Sequence, residues 1–277
     1  MGAAPGVLAS YEDSVRTICF VQDDMFLGSA LWARMSAMLV RGTLHEDQLV
    51  RLERTDRPQL IWRDIDRDIE LSTYSPTAAG NLLAQAAGNQ NATSAILSLR
   101  YGTKRVIFTA DSDVSQWRSI RALVKHPMSC SVASVPHHAG RSFANAVDLN
   151  WMFNEGVRAD VAVISAGTNN RHGHPRKDVI DELKGSGASI ICTQITGQCC
   201  NNLETIRPGV LPILPSIPSR SRSTSDITTS GNSRNVACGG TVVLRTDGSS
   251  LSIDRIADHQ AAIDALAAST MAVPMCR

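Results

Sequence analysis

The chain contains no run of eighteen apolar residues, so an ordinary transmembrane helix has nowhere to form. Position 1 opens no basic-then-apolar segment of the secretory type. Lysine is scarce: Lys104, Lys125, Lys177 and Lys184 are the only four, and the other 23 basic residues are arginines. With 26 acids against them the net charge is +1, so the totals make no electrostatic case for nucleic acid. The arginine excess reads as coding composition before it reads as phosphate binding. No CxxC pair occurs among the seven cysteines, and their number is odd. Cys199 and Cys200 are adjacent, which suits neither a usual disulfide nor a pair of zinc ligands. Cys19, Cys130 and Cys192 lie in apolar, strand-like runs and behave there as small hydrophobes. A reduced, cytoplasmic protein is expected. No internal repeat is visible.

What is present is an ordinary globular composition, 43% hydrophobic and 19% charged over 277 residues, enough for a substantial core. Periodicity predicts a strand over 15–21, an amphipathic helix over 26–40 and a second helix over 44–54. A strand over 68–74 ends at Ser75-Pro76, and a polar, small-residue stretch follows over 77–93. Strands over 94–100 and 105–111 flank Tyr101-Gly102-Thr103-Lys104 as a hairpin. A helix over 113–125, a strand over 130–135 and an apolar strand over 159–165 come next. Pro175 opens a further helix, which Lys184-Gly185 closes, and 189–193 is a strand. Three divisions follow: a main domain over 1–207, a Ser/Pro-rich linker or insertion over 208–235, and a hairpin and tail over 236–277. The linker carries Arg220, Arg222 and Arg234 against one acid, Asp226, and reads as a solvated loop. Strands in pairs broken by helices indicate an α/β fold with helices outside the sheets.

Three segments place metal-capable or proton-handling side chains just beyond strand ends, where a scaffold holds a group steady and leaves its tip open. Asp111, in Thr109-Ala110-Asp111-Ser112-Asp113, is a turn former or a metal or substrate carboxylate. His137 and His138 follow Pro136 and precede Ala139-Gly140; they are either loop residues or one zinc ligand with a neighbour for acid–base work. His174, in Asn169-Asn170-Arg171-His172-Gly173-His174-Pro175, stands before a helix N-terminus, where anions are favoured, and Arg171 adds charge there. The alternative is a plain turn. His45, His126 and His259 are expected to be solvated.

Taken in order, Asn91-Ala92-Thr93-Ser94, Tyr101-Gly102, Thr109-Ala110-Asp111, Val135-Pro136-His137-His138, Ala162-Val163-Ile164-Ser165 and Asn170 through Pro175 resemble one family. That family is the metallo-β-lactamase-fold hydrolases of the ComEC type, the hydrolase domain of DNA-uptake channels and its stand-alone relatives. The resemblance covers about residues 68 to 198, and the ending from Cys238 through His259 to Arg277 is similar to some stand-alone tails. It implies a four-layer αββα sandwich, here without its first strands. It also implies two divalent metals, zinc or manganese, activating water against a phosphodiester or nucleic-acid bond. Asp111 would bridge the metals, His137 would ligate the second, and His138 and His174 would serve the catalytic side. Asn91 would lie where other branches carry a histidine ligand. Ala110 replaces the family's glycine. The family's His-x-His-x-Asp-His motif is absent, and His45 is the only histidine before residue 68. Three readings stay open: a chain whose Met1 is not the original start, with the motif encoded in frame upstream; a non-catalytic binding or scaffold module; or a site completed by a partner protein.

Overall fold

The structure, a computed structural model, describes residues 18–21, 29–140, 145–167, 172–196, 238–254, 256–270 and 274–276. Its centre is a four-strand antiparallel meander: β3 (Gln59–Asp64), β4 (Ile69–Ser75), β5 (Ile96–Tyr101) and β6 (Lys104–Phe108). The hairpin between β5 and β6 turns on Gly102 and Thr103, closed by the Tyr101–Lys104 pair. Gly102 has φ 53°, and a Cβ there would lie 2.6 Å from the Gly248 carbonyl oxygen, so a second turn presses on this one. β6 then begins a parallel run with β7 (Met128–Ser134), β8 (Val157–Ile164) and β9 (Ser189–Cys192). All seven strands stand in chain order across one sheet.

Parallel neighbours need crossovers, and helices supply them. α1 (Ala30–Arg41) precedes the sheet, and α2 (Ala78–Ala86) lies between β4 and β5. α3 (Val114–Val124) joins β6 to β7, and α4 (Ala146–Trp151), widening to a π-turn over Met152–Gly156, leads into β8. α5 (Lys177–Gly185) joins β8 to β9. Right-handed crossovers that step one way along a sheet put their helices on one face. The buried cluster agrees: Trp117, Ile120, Leu149, Met152, Val179 and Leu183 from the helices pack with Ile107, Ala133, Ala162 and Ile190 from the strands. Those four strand residues are register partners, so they share one face.

The other face is also apolar. Register aligns Trp62, Leu71, Leu99, Val106, Val132 and Val161 in one row across six strands. Trp62 keeps 51% of its surface exposed and Phe108, on the same face, 45%. Besides the large sheet there are two small ones among the described residues. β1 (Ile18–Phe20) pairs in parallel with β2 (Leu49–Arg51), and β10 (Leu244–Thr246) pairs with β11 (Leu251–Ile253). A final helix, α6 (Ile256–Thr270), sends Ile263 into the main cluster.

The α/β class is therefore observed, with one seven-stranded mixed sheet. The described residues hold no second large sheet, so the four-layer arrangement is not seen in them. Several local expectations are corrected. The helix predicted over 44–54 is a short 3-10 turn (Glu46–Gln48) running into β2, because pairing of Leu49 with Ile18 extends the chain there. The stretch over 77–93 contains α2, capped by the Thr77 hydroxyl, which accepts from Gly80 N–H at 2.9 Å. Strand β3 and helix α4 lie in stretches whose sequence pattern predicts neither. Cys19 is exposed, whereas Cys130 and Cys192 are buried. His259 is 4% exposed and not solvated. The 208–235 linker, Asn169 to Arg171 and the Cys199–Cys200 pair lie outside the described residues. No helix among the described residues is long and apolar enough to cross a membrane.

Candidate functional site

Asp111, His137, His138 and His174 all stand just past the carboxyl ends of β6, β7 and β8, three adjacent parallel strands. In sheets of this kind the carboxyl ends are where ligands bind. Four hydrogen bonds fix the loops to one another. The buried Thr109 hydroxyl donates to the Ser134 carbonyl at 2.9 Å, and Thr109 N–H donates to Ser134 Oγ at 2.9 Å. His137 N–H donates to the Ala110 carbonyl at 3.0 Å, and Arg176 N–H to the Ala139 carbonyl at 2.9 Å.

The loops are held in costly conformations. Ala110 has φ 48°, and His137, His138 and Ala139 have φ 50°, 55° and 59°. Left-handed backbone costs a residue with a side chain about 1–2 kcal/mol. Three such residues in succession persist only because surrounding bonds hold them. Ala110 thus sits where glycine would be unstrained, which gives the alanine at that position a conformational cost beyond its one methyl.

The imidazoles divide into two groups. His138 Nδ1 lies 2.7 Å from the Ser165 carbonyl, which can only accept, so Nδ1 carries the hydrogen. Its Nε2 then faces Asp111 Oδ1 at 3.5 Å, with both side chains about one-third exposed. His137 instead takes a hydrogen bond from the Asn91 amide, 3.3 Å from its Nδ1. Its ring meets His174 edge-on at 5.3 Å between centroids, and His174 stacks on His172 at 5.8 Å. Partial burial, then the neighbouring His137, His138, His172 and Arg176, push the His174 pKa below the ordinary imidazole value. His174 is accordingly neutral at pH 7.

Sequence reasoning brought together four residues that the fold does cluster, and it named Asn91 near them. It missed what supports them. Gly140 is one: a Cβ there would lie 2.4 Å from His174 Cε1. The Asn89 amide is another, donating to Asp113 Oδ2 at 2.8 Å and bracing the loop that carries Asn91. That loop also borders a groove of about 480 Å³ lined by Arg54, Ser75, Thr77, Gln116 and Ser119. Arg54 is buried and gives its guanidinium to the Tyr74 and Thr55 carbonyls and to Ser119 Oγ. No local motif announces such a residue; only the fold places it.

Zinc takes about four donors with N or O near 2.0–2.2 Å. Asp111 and the three imidazoles are suitable by chemistry. Their spacing does not complete a centre: the carboxylate meets His138, while His137 is engaged with Asn91 and His174. Among the described residues no group of three or more His, Cys, Asp or Glu stands ready to hold an ion. The two-metal site implied by the family resemblance is therefore not made by these residues alone. A scan of family models, a search of curated proteins and a search of solved structures each returned no match.

Proposed function

We propose that the strand-end cluster is the phosphoester site of a metallo-β-lactamase-type hydrolase, with the described chain corresponding to the carboxyl-terminal half of that fold. The observation that carries this reading is convergence: one carboxylate and three histidines from loops after three parallel strands share one end of the sheet. The sheet itself supports it, since helices on one face and an apolar row on the other suit half of an αββα sandwich. In that family zinc or manganese supplies an activated water; here the remaining ligands would have to come from outside the described residues. The chain's own groups handle the phosphoester and the proton. His138 is oriented by the Ser165 carbonyl so that Nε2 can take or give a proton beside Asp111. Neutral His174 offers a hydrogen bond to a phosphate oxygen without adding charge. The substrate class is a nucleic-acid strand or a small phosphodiester.

A second reading, a binding module without turnover, is favoured by the incomplete set of ligands around Asp111 and His138. One experiment separates the two. A chromogenic phosphodiester is assayed with added zinc or manganese, for wild type and Asp111→Ala, with binding of a short labelled DNA followed in parallel. Turnover that disappears in the variant supports the hydrolase. Equal background rates with binding retained select the module, and equal rates with no binding sink both.

A further inference from the structure

The groove beside the Asn91 loop holds a buried cation that no acid answers. Its volume of about 480 Å³ is that of a small-molecule site, and none of Asp111, His137, His138 and His174 lines it. Arg54 does line it, and at 6% exposure is the only buried arginine among the described residues. The fold carries it there: Arg54 N–H donates to the Pro76 carbonyl at 2.9 Å, and Arg54 bridges to Thr77 at the start of α2. Three of its guanidinium hydrogens are spent. Nε donates to the Tyr74 carbonyl at 2.6 Å, Nη1 to the Thr55 carbonyl at 3.1 Å and Nη2 to Ser119 Oγ at 2.6 Å. All three acceptors are neutral, and a guanidinium has two hydrogens more. Arg63, Arg100, Arg118 and Arg245 are more exposed, yet each pairs with a carboxylate. No acid is among the residues that line the groove, and burial alone pushes the Arg54 pKa down. A buried charge without a counter-ion is costly, and an anion in the groove supplies one.

The hydroxyls that line the groove point to the same chemistry. Ser75 Oγ accepts from Gln116 Nε2, Thr77 Oγ1 accepts from Gly80 N–H at 2.9 Å, and Ser119 Oγ accepts from Arg54. Each hydroxyl is used as an acceptor, and its own hydrogen meets no acceptor among the described residues. We propose that this groove binds a phosphate monoester. Arg54, Ser75, Thr77 and Ser119 hold the phosphate, and the organic part lies against Leu83, Ala84 and Ala87 of α2. A carboxylate presents its acceptor positions on two oxygens in one plane. A phosphate monoester presents three terminal oxygens around a tetrahedron, which suits donors arriving from β4, α2, α3 and the segment before β3. The two alanines keep the α2 wall open, and Leu83, 72% exposed, gives it an apolar edge. The site is separate from the strand-end cluster and does not depend on hydrolase activity.

The test is calorimetric titration of phenyl phosphate into the purified full chain, with a chelator present so that no divalent metal draws the ligand to the strand-end cluster. Wild type, Ser119→Asp, Leu83→Glu and the double variant Asp111→Ala/His137→Ala are compared. Saturable one-to-one binding is expected in wild type and unchanged in the double variant. Ser119→Asp puts a carboxylate where Ser119 Oγ now meets Arg54, so the cation gains an internal partner. Its Tm should hold or rise while affinity for phenyl phosphate falls about tenfold or more. Leu83 is exposed, so Leu83→Glu keeps the fold and sets a like charge beside the phosphate; it carries the test if Ser119→Asp does not fold. Inorganic phosphate and phenylacetate, titrated into wild type, should each bind more weakly than phenyl phosphate. No saturable binding in wild type, or unchanged affinity in either folded acidic variant, would overturn the proposal. So would binding lost in the Asp111→Ala/His137→Ala protein, which would move the phosphate to the strand ends. Phenylacetate or inorganic phosphate bound as tightly as phenyl phosphate would overturn the assigned ligand class.

Discussion

Gly140 has φ −76° and ψ 167°, a backbone any residue can adopt, so its missing side chain matters for space and not for conformation. The space is taken by the His174 ring, whose Cε1 and Nε2 lie 2.4 and 2.8 Å from where a Cβ would be. Gly140→Ala should push the ring out of its contact with His137 and cost about 1–3 kcal/mol by overpacking. The His174 ring-proton chemical shifts would report the displacement, and unchanged shifts would contradict it. The same histidine has a pH signature. Its folded pKa is lowered, so on acidification the unfolded chain takes up the proton first. Stability is therefore unaffected by this group above the unfolded value of about 6.5. It falls as pH drops below that value, until the folded protein is protonated too. Urea midpoints compared at neutral and mildly acidic pH should show a smaller loss in His174→Gln than in wild type. Identical slopes would count against the assigned direction.

At the scale of elements, Asp113 shows how one side chain joins the fold to the site. Its carboxylate caps α3 by accepting from Ser115 N–H at 2.9 Å and from Gln116 N–H, and it also receives the Asn89 amide. A lost cap alone costs about 1 kcal/mol. Removing the second acceptor leaves Asn89 unpaired and raises the cost to roughly 2–3 kcal/mol for Asp113→Ala. Urea unfolding measures this, and a loss below about 0.5 kcal/mol would show that the Asn89 strut carries no weight. The span of this helix is legible locally: the sequence predicts a helix over 113–125, and α3 runs over Val114–Val124 with Asp113 as its cap. The segment over 44–54 was not legible, because its alternating leucines and charges satisfy a helix pattern as well as a short strand. Only the pairing of Leu49 with Ile18, about thirty residues away, decides between them.

The whole molecule is a sheet with two different faces, and neighbouring residues of β6 test that directly. Ile107 points into the helix-covered cluster and is fully buried, while Phe108 points the other way and stays half exposed. Ile107→Ala should cost about 2–5 kcal/mol. Phe108→Ala should cost about 1 kcal/mol or less, although it removes the larger side chain. Equal losses, measured by denaturant unfolding, would mean that the second face is as closely packed as the first. The carboxyl-terminal segment belongs to the same body: Ile263 and Met275 join the main cluster, and Thr103 N–H donates to the Gly248 carbonyl at 2.8 Å.

By itself, the sequence determined the strands and helices whose signals are local: the hairpin at Gly102, the helix α3, the apolar runs of β7 and β8, and α5 behind Pro175. It also determined that Asp111, His137, His138 and His174 follow strand ends, because each lies within a few residues of an apolar run or a turn. The tertiary structure alone decided which of these side chains meet. His138, and not His137, faces Asp111, since three left-handed residues and the Ser165 carbonyl turn the two imidazoles in different directions. It alone took His259 out of solvent and packed Cys192, Cys238, Ile263 and Met275, spread from residue 192 to residue 275, into one cluster. No pattern over neighbouring residues can encode a contact across that separation; the distance is closed by the sheet edge on which those segments pack.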